Sequence, residues 1–186
     1  MNERKRVLAI CGSASTSSAN LAILELIKEL GEKNFELTIF DGLSNLPHFR
    51  TELTDANVPN EIRELRNLIN NSDALLVCTP EYVFSIPSGL KNALEWCVST
   101  TILSDKPVGL ITASASGEKG HEELKLIIET LQAKFIDETT LLIGGVRGKI
   151  SRDGKVLNEK TKNELQKFVR SFSKFINSLA TDRAIE

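Results

Sequence analysis

Hydroxyl side chains crowd the segment Gly12-Ser13-Ala14-Ser15-Thr16-Ser17-Ser18-Ala19-Asn20, between the apolar run Val7–Cys11 and a helix-patterned stretch that begins near Leu21. A helix N-terminus offers unpaired backbone N–H groups and the positive end of a dipole, and Ser and Thr add donors without blocking a ligand's approach. The chemistry of such a mouth is phosphate binding. The segment has neither the Gly-Lys-Ser/Thr ending that serves nucleoside triphosphates nor the three-glycine fingerprint that serves a dinucleotide pyrophosphate. Hydroxyls in place of glycines suit a terminal phosphate monoester, whose three outer oxygens each accept several hydrogen bonds. The same composition also describes a solvated turn that carries a helix cap.

Two later segments could complete a site. Thr79-Pro80-Glu81-Tyr82-Val83-Phe84-Ser85 contains the chain's only tyrosine, with Phe84 nearby, and so offers flat apolar surface to a planar ligand. Thr112-Ala113-Ser114-Ala115-Ser116-Gly117-Glu118-Lys119-Gly120-His121 is built of small residues that let backbone approach and donate to a ring edge. A fourth segment, Gly144–Gly154, carries glycines and basic residues; it reads as an excursion or small hairpin in preference to a ligand loop.

These segments need elements that bring them together. Strand-length apolar runs alternate with helix-periodic segments along the whole chain, the pattern of a parallel sheet with helices on both faces. The expected strands are Val7–Cys11, Glu36–Phe40, Ala74–Cys78, Val108–Ala113 and Thr139–Ile143; the third and fourth are nearly continuous apolar runs and belong in the centre. Helical stripes run through Ile23, Leu26, Ile27 and Leu30, through Leu124, Ile127, Ile128 and Leu131, and through Leu165, Phe168, Val169, Phe172, Ile176 and Leu179. A second helix is expected over Asn60–Asn70. A third is expected from Pro87, in its first turn, to about Ser99. Asp41–Pro59 is the longest irregular stretch and is expected to wrap the surface. Ligands of open parallel sheets bind beyond the carboxyl ends of the strands. The loops after strands one, three and four should therefore converge as a phosphate seat, a ring shelf and a ring-edge clamp.

The 186 residues fit one domain, 1–186, with 41% hydrophobic and 26% charged content and a formal net charge of −2, which gives no global pull toward nucleic acid or an anionic membrane. The charged N-terminus precedes an apolar run too short for a signal peptide or a membrane span, so a cytoplasmic protein is expected. Cys11, Cys78 and Cys97 lie in or beside apolar stretches without CxxC spacing and read as buried free thiols. Two isolated histidines, His48 and His121, make no metal site.

From about Val7 to Leu179 the chain resembles the NADPH-dependent FMN reductase family of flavodoxin-like flavin, quinone, azo-dye and metal-oxyanion reductases. The resemblance is most specific at Pro80-Glu81-Tyr82, Ser85, Pro87, Leu90-Lys91-Asn92-Ala93 and Trp96. The first loop resembles the family's Gly-Ser-x-Arg-x-x-Ser-x-Asn through Gly12, Ser13, Ser18 and Asn20, with Ser15 at the arginine position; Val83 stands where asparagine is usual. The resemblance implies a doubly wound five-stranded parallel α/β sheet of order 2-1-3-4-5. It also implies FMN as cofactor, NADPH or NADH as a transient hydride donor, a small-molecule acceptor, and a homodimer or homotetramer; Trp96 falls off the stripe of the third helix and reads as peripheral core or as part of a partner surface, and the resemblance favours a seam there. Ser13, Ser15, Ser18, Ala19 and Asn20 would hold the phosphate, Pro80, Glu81, Tyr82 and Val83 the isoalloxazine and ribityl region, and Ser114, Ser116 and Gly117 the ring edge. The flavin N5 would carry the chemistry, with no catalytic side chain and no metal.

A charge-assisted hydrogen bond is worth about 1.5–3 kcal/mol, so lacking the arginine should weaken FMN binding by roughly ten- to a hundredfold without abolishing it. Glu81 reads equally as an acid or base and as a capping carboxylate, and Ser85 as the start of the helix that follows. Two other classes fit the same fold: an FMN-binding electron carrier for a protein partner, and a scaffold that has lost its flavin. A nucleotide-processing enzyme is a more distant alternative.

Overall fold

Every residue of Ala74–Thr79 and Val108–Ala113 is buried, and these two strands form the middle of a five-stranded parallel sheet. The computed structural model describes residues 4–13, 15, 18–151 and 155–182. Along the chain run β1 (Lys5–Cys11), α1 (Ala19–Gly31), β2 (Phe35–Phe40), α2 (Asn60–Asn70), β3 (Ala74–Thr79), α3 (Ser88–Glu95), β4 (Val108–Ala113), α4 (Glu118–Thr130), β5 (Thr140–Ile143) and α5 (Glu159–Asp182). The strand order is β2-β1-β3-β4-β5, the doubly wound flavodoxin-like order.

The period-2 geometry of the strands divides the core in two. Val7, Ala9 and Cys11 of β1 and Ala74, Leu76 and Cys78 of β3 face α1 and α5, where they meet Ile23, Ile27, Phe168 and Phe172. Leu8, Ile10, Leu75 and Val77 face the other way, onto Leu65 and Ile69 of α2, Leu90 and Leu94 of α3, and Leu124 and Ile128 of α4. Each large side chain so buried contributes about 1.5–3 kcal/mol before the entropy of ordering it is subtracted. The stripes read from the sequence are the faces that make this core.

Several boundaries differ from the sequence expectation. β1 and β2 start earlier, because Lys5 and Arg6 register against Phe35 and Glu36 despite their charge. β3 runs on to Thr79, and β5 starts one residue late. α3 stops at Glu95, well short of Ser99, and Pro87 caps it from the extended region with its carbonyl accepting Lys91 N–H at 3.0 Å.

Burial decides between the two readings of Trp96. It falls off the α3 stripe, yet its side chain is 0% exposed within the single chain, so it is core. Its cover is the irregular stretch itself: Trp96 Nε1 donates to the Pro47 carbonyl at 2.9 Å, and the Phe49 ring stands edge-on at 5.2 Å. Asn92 clamps the same stretch, accepting Phe49 N–H at 2.7 Å and donating to the Pro47 carbonyl at 3.0 Å. Arg66 closes the far side by donating to the Trp96 carbonyl through Nε and Nη2. The loop that wraps the surface thus also seals this side of the core.

Candidate functional site

The first loop turns sharply because Gly12 sits against β3. Its N–H donates to the Cys78 carbonyl at 2.8 Å, and a Cβ there would lie 2.4 Å from Thr79 Oγ1. Ser13 Oγ accepts Ser15 N–H at 3.3 Å. Ser18, extended at φ −118°, caps α1 by accepting Leu21 N–H at 3.1 Å, as its residue type favours. Burial pushes the Cys11 thiol beneath this loop up from its ordinary pKa, against hydrogen bonding from the Ser13 backbone and the Ser18 side chain. Asn20 is buried and ties α1 to the sheet, donating to the Ala113 carbonyl at 3.3 Å and accepting Cys78 Sγ–H at 3.4 Å.

The loop after β3 is held from a distance. Glu81 Oε2 accepts Gly120 N–H at 2.8 Å and its Oε1 accepts Gly117 N–H at 3.2 Å, so a carboxylate from one loop caps the helix of the next. That is the capping role, and it leaves no carboxylate oxygen without a partner. Glu123 returns the tie by accepting Ile86 N–H at 3.1 Å. Between these anchors Tyr82 and Ser85 exchange backbone hydrogen bonds at 2.8 and 3.0 Å around a two-residue turn, Val83-Phe84, whose residues both have positive φ, 52° and 58°. Ser85 therefore closes a hairpin and does not cap α3. Side chains at positive φ are strained, and here they stand in the open, Val83 95% and Phe84 76% exposed.

After β4, Gly117 has φ +95°, where only glycine is comfortable, and supplies the N-cap position of α4. His121 Nδ1 lies 2.9 Å from Thr112 Oγ1. Burial lowers the His121 pKa from its ordinary value, Lys125 lowers it further, and Glu122 opposes both.

A crevice of about 970 Å³ opens where these loops meet, at the carboxyl ends of β1, β3 and β4. Ser13, Ser15, Ser18, Ala19, Asn20, Pro80, Glu81, Tyr82 and Ser114 all line it, although they come from three loops spread over a hundred residues of sequence. Val83, Ser116 and Gly117 do not: Val83 is at the turn tip, Ser116 points to solvent, and the Gly117 N–H is taken by Glu81.

The lining also includes Ala113 and Ala115 of the small-residue segment after β4, and four residues that sequence reasoning missed: Val146, Arg147, Ile150 and Ser151. The segment after β5 is the small hairpin expected, bridged at Ile150 and Val156, but it faces the crevice as well. Gly145 N–H donates to Ala115 O at 2.9 Å and Val146 N–H to Ser114 O at 3.1 Å, and these long-range bonds place it. Its glycines and basic residues were the only signal in the sequence. Arg152, Asp153 and Gly154 lie outside the described residues.

A second crevice, about 580 Å³, lies at the amino ends of the strands beside Asp73 and Lys106, away from where α/β sheets bind ligands. All three cysteines are buried free thiols, and burial pushes Cys97 up to about 12. No helix among the described residues is long and apolar enough to cross a membrane.

Comparison with known proteins fits this geometry. Residues 5–147 match the family model described as NADPH-dependent FMN reductase. The chain is 31% identical over 187 residues to the NADH:(hydroxy)cinnamate reductase subunit CrdA of Vibrio ruber, covering 96% of this chain and 92% of that one. It is 25% identical over 183 residues to a quinone reductase of Escherichia coli, covering 95% and 97%. Among solved structures it is similar to FerB, a flavoenzyme NAD(P)H:(acceptor) oxidoreductase from Paracoccus denitrificans, with TM-score 0.75, 25% identity, and 94% and 98% coverage.

Proposed function

Because the chain belongs to the NADPH-dependent FMN reductase family, we propose that its large crevice seats FMN with the phosphate at the mouth of α1 and the ring system beside Tyr82. The donor set fits the group: Ser13, Ser15 and Ser18 hydroxyls and the first amides of α1 gather at one end, and an aromatic side chain flanks the other. The volume, about 970 Å³, lies within the range of about 300–1,000 Å³ usual for small-molecule sites. The observation that carries the reading is the meeting of nine residues from three distant loops on one crevice.

When bound, FMN supplies the redox chemistry, accepting hydride from a nicotinamide donor and passing electrons to a second substrate. The protein binds and orients. α1 presents its positive end and its capped hydroxyl loop to the phosphate. Glu81 spends its charge on α4 and so locks the shelf, leaving the backbone of residues 80–82 to face the ring. Ala113, Ser114 and Ala115 allow close approach at the ring edge, and none of the lining side chains is asked to act as acid, base or nucleophile.

Relatives are named as a subunit of an NADH:(hydroxy)cinnamate reductase and as a quinone reductase. For this chain the acceptor is a small planar molecule that approaches over Tyr82, whose ring lines the crevice, with the exposed Phe84 in the adjoining turn. The chain assembles as a homodimer or homotetramer, which light scattering would read directly. Anaerobic mixing of the FMN-loaded protein with NADPH or NADH tests the activity. Bleaching of the flavin band, restored by a quinone, is expected; no bleaching with either donor would defeat the reading.

A further inference from the structure

The stretch from Gly12 to Asn20 contains no lysine or arginine, so the proposed phosphate end must neutralise a dianion with hydroxyls and helix amides alone unless a cation arrives from elsewhere. One does. Among the described residues lining the crevice only Glu81 and Arg147 are charged, and the Glu81 carboxylate is already bound to Gly117 and Gly120. We infer that Arg147, from the segment after β5, is the phosphate-reading cation of this site and makes it selective for phosphorylated over unphosphorylated flavin.

Three observations support this assignment. The segment is fixed at its base, where Val146 and Ile150 are buried in the core cluster that also receives Ala19 at the start of α1. Its backbone is tied to the β4 loop through Gly145 and Val146, and Gly145 adopts φ +62°, turning the chain so that the short helical turn Val146–Gly148 carries Arg147 onto the crevice. The guanidinium itself is exposed and makes no hydrogen bond or ion pair with another described residue, unlike Lys91, Lys119 and Lys125, which pair with neighbouring carboxylates. A planar fork with several N–H donors, mounted on a fixed base and uncommitted to a carboxylate, is suited to a phosphate's oxygens.

The inference rests on the proposed FMN site, and flavin titration separates the two. Wild-type protein, Arg147→Ala, Arg147→Lys and the double variant Ser15→Arg/Arg147→Ala are titrated with FMN and with riboflavin, which lacks the phosphate, and binding is followed by flavin fluorescence. Arg147→Ala should weaken FMN by about ten- to a hundredfold while riboflavin affinity moves less than twofold. Arg147→Lys should retain part of the FMN affinity, and the double variant should regain it through the arginine placed in the first loop. The wild-type FMN affinity should also fall more steeply with ionic strength than that of Arg147→Ala. Unchanged riboflavin binding doubles as the check that the variant is folded. Equal loss for both flavins, or none for either, would overturn the role of Arg147 while leaving the FMN site intact. Wild-type protein that binds neither flavin would overturn the site itself.

Discussion

The two ends of the crevice are built by opposite means. The phosphate end is local: Ser18 caps its own helix three residues on, and Ser13 accepts an amide two residues on. The ring end is held by bonds that span 36 to 39 residues, from Glu81 to Gly117 and Gly120 and from Ile86 to Glu123. A local device needs only the right residue type at the right spacing. A remote one needs the finished sheet, and in return it can hold backbone that would not hold itself, such as the Val83-Phe84 turn.

The comparison can be broken most forcefully at Glu81. Glu81→Ala leaves two amides at the start of α4 without their acceptor, and a stability loss of about 3 kcal/mol is expected in urea unfolding, with Glu81→Gln losing roughly half because its amide keeps one acceptor oxygen. Loss below about 0.5 kcal/mol would show that the ring end does not depend on this tie.

Next in size is a gain. Replacing Val83-Phe84 with Asn-Gly supplies residues suited to positive φ and should stabilise the protein by about 1–2 kcal/mol, raising Tm by about 2–8 °C. The same variant should weaken aromatic acceptors while FMN affinity holds. An unchanged Tm would mean that the turn carries no strain.

At the phosphate end, Ser18→Ala should cost about 1 kcal/mol through the lost cap and should weaken FMN more than riboflavin. The smallest effect concerns His121. Burial and Lys125 hold its folded pKa below the unfolded value, so the fold prefers the neutral ring. Its contribution is therefore complete above about pH 6.5 and is lost as pH falls through the lower folded value. His121→Gln should flatten the stability profile over that acid range, a change visible in Tm measured at matched ionic strength. An unflattened profile would assign the acid sensitivity elsewhere.

What the sequence made legible follows the same division. The Asn60–Asn70 helix and the Val108–Ala113 strand coincide with their expected bounds because apolar spacing alone defines them. Lys5 and Arg6 were missed as strand because their side chains pair with Asp73 at one edge while their backbone still pairs with β2, which hydropathy does not register. Trp96 stands off its stripe for a related reason. A helix stripe reports only burial against the sheet, and Trp96 is buried beneath Phe49 and Pro47, the latter 49 residues earlier. In the site, the hydroxyl loop and the Pro80-Glu81-Tyr82 shelf were visible by type and spacing. The Val146–Ser151 wall was not, since it lines the crevice only by bonding to Ser114 and Ala115.

Phosphorus NMR of FMN titrated with the protein asks most directly whether the ligand's tail enters the mouth of α1. The phosphate resonance is expected to shift and broaden with one FMN bound per chain, and to stop responding to pH across the range in which free FMN titrates. A flavin band that reports binding while the phosphorus signal stays sharp and titrates as in free solution would contradict the orientation on which the account depends.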